Sequence, residues 1–210
     1  KGLLLAVPDG RPCHSVRQLL HKPTHTVVSP ETGQMERTGS FTVFRSYARS
    51  SWLTELRNTR AEVTRHADGV ELVWEPTMRH QVRTTARICI REPNIIDADI
   101  AVEGFAHYPD YELLFSNYVA PHLKGSVFVK QDVLGENEEY ERIDVTANPM
   151  VRGMYPFFPR DERAAHIMTD GRGQRGRHYW KVACGRPYAY PIGVASDDRT
   201  MVLLMGKPED

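Results

Sequence analysis

The sequence predicts an all-β protein, a large antiparallel β-sandwich with at most one or two short helices, and three observations carry that expectation. Short runs of β-branched and aromatic residues recur along the chain with turn signals between them. Several of these runs alternate apolar and polar residues with the period of two that sends successive side chains to opposite faces of a strand. Sustained helical periodicity is missing throughout.

The elements follow in order. Residues 2–7, an apolar Gly-Leu-Leu-Leu-Ala-Val, are too short to span a bilayer and read as an ordinary first strand, with the remnant of a signal peptide as the alternative. Residues 41–47 have the β-branched and aromatic content of a strand. Residues 61–65 and 70–75 form an antiparallel hairpin through His66-Ala67-Asp68-Gly69, where Asp-Gly is the turn signal. Residues 82–90 alternate small or apolar side chains with basic and polar ones and break at Arg91-Glu92-Pro93-Asn94. Residues 96–103 then place Ile96, Ala98, Ile100 and Val102 on one face and Asp97, Asp99, Ala101 and Glu103 on the other, as a sheet with one wet face requires.

Residues 112–119 and 126–131 continue the series. Beyond Asp132 the pattern becomes irregular: 135–139 is an acidic surface turn, 155–160 is too proline-rich for a central strand, and 161–167 makes one short helix capped by Asp161. The glycine-arginine run 171–177 reads as a solvated basic loop, followed by strands near 178–184, 190–195 and 200–205. Strands this numerous, joined mostly locally, require stacked sheets, because one open sheet could not bury so many apolar faces. A length of 210 residues suits a single domain spanning 1–210. A start without methionine and a stop soon after Met205 raise the expectation of a product processed or truncated at one or both ends.

Composition narrows the function classes. The 40% hydrophobic and 26% charged content is that of a soluble globular protein. With 27 basic and 27 acidic residues, nothing attracts a polyanion or an anionic membrane over long range, so neither nucleic acid nor membrane is an expected partner. Cys13, Cys89 and Cys184 are too dispersed for a metal knuckle or a disulfide framework. Among the nine histidines none forms an HxH or HExxH pair, and Pro23 between His21 and His25 argues against a shared helical face. No metal and no cofactor is therefore expected. The glycine-arginine run lacks the residue order of a phosphate loop, and no serine lies in a GxSxG elbow.

The chemistry-bearing residues gather in the connection between the strands of 96–103 and 112–119. His107 and Glu112, with His122 beyond the next strand, are the candidate catalytic groups, because an imidazole and a carboxylate can share acid–base work. Arg79, His80, Tyr111, Asn117 and Tyr118 are the candidate substrate-binding groups. Planar rings cover the apolar C–H faces of a sugar, while amides, imidazoles and guanidinium groups engage its hydroxyls or an acid group. The expected partner is a carbohydrate or sugar acid. A second reading is a non-enzymatic structural or interaction domain of a larger protein, and a third is a metal-dependent sugar isomerase or lyase.

The strand series, the run Tyr111-Glu112-Leu113-Leu114-Phe115-Ser116-Asn117-Tyr118-Val119 and the late Tyr190-Pro191-Ile192-Gly193-Val194-Ala195 resemble parts of the galactose mutarotase-like supersandwich group, over about residues 70 to 205. That resemblance implies a large antiparallel sandwich holding carbohydrate in a groove, with a histidine and a carboxylate opening and closing a sugar ring in the epimerase members. The strand bearing Asn117 and Tyr118 is the part that matches in position. The late catalytic glutamate of that group has no counterpart before the chain ends.

Overall fold

The computed structural model describes residues 14–16, 18–29, 39–49, 51–91, 93–131, 139–144, 174–175, 178–179 and 188–206. Among them no helix reaches seven residues, and every strand pairing is antiparallel. The all-β expectation is met. The chain divides into two compact units, Lys1–Ala120 and Pro121–Asp210.

The first unit opens with a two-residue ladder between β1 (Leu20–His21) and β2 (Thr26–Val27), joined by a 3-10 turn over Lys22–Thr24. Pro23 sits in the first turn, where its missing N–H costs nothing. Two larger sheets follow. One has the order β4-β3-β9, from β3 (Thr42–Ala48), β4 (Ser51–Thr54) and β9 (Glu112–Ser116). The other runs β5-β6-β7-β8, a meander of β5 (Glu62–Arg65), β6 (Gly69–Trp74), β7 (Val82–Arg91) and β8 (Ile95–Gly104).

These two sheets pack face to face. Val43, Leu113 and Phe115 of the first meet Leu72, Trp74, Ala86 and Ile100 of the second, and Leu56 and Ala61 close the same core. Inward residues Val70, Leu72 and Trp74 on β6 and Val82, Thr84, Ala86 and Ile88 on β7 are buried, as the period-two pattern requires. The opposite face carries charges that match across strands. Arg83 reaches Glu75 at 3.0 Å and Glu103 at 3.3 Å, Arg87 reaches Asp68 at 3.5 Å, and Arg91 reaches Asp97 at 2.5 Å. A basic central strand between acidic neighbours favours this register over a one-residue slip.

The expected hairpin is present, with Arg65 opposite Val70. Its turn differs in one respect from the Asp-Gly signal. His66 and Gly69 exchange backbone hydrogen bonds, so Ala67 and Asp68 are the central residues and Gly69 already belongs to β6. A Cβ at Gly69 would lie 2.0 Å from the Ile88 carbonyl oxygen, so glycine is needed for close strand approach rather than for a left-handed turn.

The second unit is built on a sheet of order β11-β10-β14-β15, from β10 (Lys124–Lys130), β11 (Tyr140–Asp144), β14 (Tyr188–Ser196) and β15 (Met201–Met205). Val127 and Val129 are fully buried on one face, while Phe128 lies between them on the other. The expected strands at 126–131, 190–195 and 200–205 correspond to β10, β14 and β15; β11 lies where the sequence reads as irregular. Part of the expected basic loop is also paired: β12 (Gln174–Arg175) bonds to β13 (His178–Tyr179). The expected first strand at 2–7, the segment 155–160, the helix at 161–167 and Cys13 and Cys184 lie outside the described residues. Cys89 is a buried free thiol. No helix among the described residues is long and apolar enough to cross a membrane.

Candidate functional site

The main polar cluster of the first unit forms where the two sheets meet, and a β-bulge decides its composition. On β3, Val43 pairs with Phe115 and Ser46 with Leu113, with the register shifting between Val43 and Arg45. Strict alternation would point Ser46 away from Val43. The extra residue restores it to the interior, where it is fully buried. Tyr111, Leu113 and Phe115 share the facing side of β9 and its lead-in.

From the other sheet comes His80, held by a tight turn. The Thr77 N–H donates to the His80 carbonyl (2.8 Å), and the His80 N–H donates to the Thr77 hydroxyl (3.1 Å), leaving Met78 almost wholly exposed at the tip. The imidazole is thereby turned inward. Its Nε2 lies 3.2 Å from both the Ser46 hydroxyl and the Tyr111 hydroxyl. The Tyr111 ring stacks on it at 6.0 Å with 17° between planes, and Tyr108 flanks both rings.

Burial lowers the His80 pKa below the ordinary 6.5, so the ring is neutral at physiological pH. Burial raises the Tyr111 pKa above its ordinary 10, against the opposing effect of the Ser46 hydroxyl. The cluster is therefore a set of neutral, mutually oriented donors and acceptors. The turn that delivers both tyrosines contains Pro109 and a left-handed Asp110 (φ 50°), a conformation aspartate tolerates better than most residues.

His80 also lines a cleft of about 210 Å³ together with Thr54, Thr59, Glu75, Thr77 and Arg79. Trp74 contributes to the floor. Its ring is 1% exposed and its indole N–H donates to the carbonyls of Leu56 (3.0 Å) and Thr59 (3.2 Å), so it supports the wall and offers no open stacking face. Among the sequence candidates, Arg79 and His80 share this cleft, and Tyr111 touches His80 from behind.

The remaining candidates are placed differently. Glu112 follows Tyr111 by one residue on an extended backbone and so faces the other side of the sheet, half-buried and with partners of its own. His107 is exposed. The Asn117 side-chain oxygen accepts the backbone N–H of Phe41 (2.9 Å), a residue with φ 56°, and the Tyr118 carbonyl accepts the Ser40 hydroxyl (2.7 Å). Both residues anchor the start of β3. Tyr108 comes from the connection the sequence singles out, whereas Ser46 belongs to the His80 cluster without such a signal: a serine in a strand carries none of its own, and the bulge that turns it inward exists only in the pairing.

His122 belongs to the second unit. Its Nε2 lies 3.8 Å from Asp197, and with Lys124, Ser126, Arg142 and Asp144 it lines a cleft of about 470 Å³. Asp197 has a lowered pKa, because its carboxylate accepts the backbone N–H groups of Arg199 (2.8 Å) and Thr200 (2.7 Å). Among the described residues no group of three or more His, Cys, Asp or Glu side chains is arranged to hold a metal ion. No family model matches the chain, and no curated protein or solved structure matches it.

Proposed function

We propose that this chain is a carbohydrate-binding or carbohydrate-active β protein of galactose mutarotase-like type, taking a sugar or sugar acid in the cleft beside His80. One observation carries the reading: Arg79, Glu75 and Thr77 line one cleft together with His80, a histidine kept neutral by burial. At about 210 Å³ the space is smaller than the ~300–1,000 Å³ of drug-sized sites and suits a single ring. Arg79 engages a hydroxyl or an acid group, and neutral His80, its ring oriented by the Ser46 and Tyr111 hydroxyls, accepts a hydrogen bond from a sugar hydroxyl.

Ligand-detected NMR against simple sugars and uronic acids tests this directly. Binding is expected, and Arg79→Ala should weaken it about tenfold, or ~1.4 kcal/mol. A folded full-length sample that binds none of them overturns the reading. The second reading, a non-enzymatic structural or interaction domain, is favoured by the way Asn117, Tyr108 and Trp74 spend their polar atoms on internal backbone groups. A folded sample that binds no sugar, and in which Arg79→Ala and His80→Gln alter stability alone, would move the assignment to it.

A further inference from the structure

We infer that the second unit carries a separate carbohydrate site, a sheet face that takes a neutral, hydroxyl-rich glycan chain. The face is defined by register. Phe128 pairs with Arg142 and Ser126 with Asp144 on one side, while Ser126 pairs with Val194 and Lys124 with Ser196 on the other. All these side chains point away from the fully buried Val127 and Val129, and of them Ser126 and Val194 are themselves buried beneath their neighbours on the face.

At one end of the face is an aromatic corner. Tyr140 and Tyr190 lie 5.3 Å apart with 77° between planes, and Phe128 meets them at 5.8 and 6.4 Å. Tyr140 is 48% and Tyr190 45% exposed, so ring surface remains open to a ligand. Exposed tyrosines offer an apolar body for sugar C–H groups and a hydroxyl for hydrogen bonding at small cost in side-chain entropy. Because the rings meet edge to face, they form a corner rather than a flat platform, which suits a single soluble chain better than a crystalline surface.

The other end of the same face is the cleft lined by Lys124, Ser126, Arg142, Asp144, Asp197 and Asp198. Arg142 is oriented by donating its Nε–H to the Ser126 hydroxyl (2.7 Å). Donors and acceptors of both signs alternate here, which matches hydroxyl groups and gives no net attraction for a polyanion. From Phe128 to Lys124 the strand covers ~13 Å, longer than one ring, so the aromatic corner and the polar cleft would be occupied by different residues of one chain. Met201, Leu203 and Met205 on the same face are exposed but sit on the edge strand β15, beside β14 and away from Phe128.

The site does not depend on the His80 cleft, and the test separates the two. Full-length protein is titrated by affinity electrophoresis and calorimetry with soluble neutral glycans (β-glucan, mannan, xylan and starch) and with a polyuronate as the charge control. At least one neutral glycan should bind. Tyr140→Ala combined with Tyr190→Ala should weaken it about tenfold or more, whereas Val63→Ala, at an exposed position on β5 outside both sites, should stay within about twofold. Circular dichroism of each variant confirms that the sheet persists. The inference is overturned if no neutral glycan binds, if the double variant binds as the parent does, or if only the polyuronate binds and salt abolishes it. A concentration-dependent dimer lost in the double variant also overturns it, assigning the face to a second copy of the chain.

Discussion

His80 is where single-residue chemistry has the clearest consequence. Its folded-state pKa is lowered by burial, so the unfolded chain binds more protons than the folded one at pH values below 6.5. Stability therefore rises with pH through the window below 6.5 and levels off above it. His14 acts with the same sign: burial lowers its pKa against a hydrogen bond that its ring donates to the Thr59 backbone, and its Nε2 accepts the Ala61 N–H at 3.1 Å. Denaturant unfolding across a pH series should show this fall on acidification, and His80→Gln should flatten part of the slope while His14 retains the rest. A slope identical in the variant would mean that His80 titrates alike in both states. The sequence named His80 and Arg79 because of their types and their place between two strands. It could not name Ser46, whose position beside His80 depends on an unpaired residue in β3.

At the scale of elements, the β5–β6 hairpin separates what a motif signals from why it works. Asp68-Gly69 marks the correct place for a turn, yet Gly69 lies in the strand, with backbone of the partner strand where a Cβ would be. Gly69→Ala should cost about 1–3 kcal/mol through overpacking against Ile88 and Cys89, lowering the denaturant midpoint with an unchanged slope. If the glycine were needed only for turn conformation, alanine would cost far less, because its φ is not left-handed. The charge pattern on β7 and β8 was legible in the same way. Arg83, Arg87 and Arg91 recur on one face of β7, and Asp97, Asp99 and Glu103 recur on one face of β8, so antiparallel pairing sets opposite charges across the ladder. Short strands such as β4 and β11 were not legible, because four or five residues without strong alternation give too weak a periodic signal.

At the scale of the molecule, the chain divides into two compact units, and their stabilities should be separable. Leu72 is 1% exposed in the first core, so Leu72→Ala should cost about 2–5 kcal/mol there. Hydrogen exchange should then lose protection across β3, β6, β7 and β9, while β10 and β14 amides keep theirs. A uniform loss would show instead that the units unfold as one. The sequence by itself determined the β class, the meander of β5 to β8 and its wet face, because a period of two and local turns are properties of adjacent residues. Only the tertiary structure decided which polar groups meet, because a bulge in β3, the turn at His80 and the left-handed Asp110 set side-chain directions that alternation alone cannot give. It also decided that Phe128, Tyr140 and Tyr190, drawn from three separate strands, share one exposed corner, since cross-strand register is fixed by pairing and not by spacing along the chain.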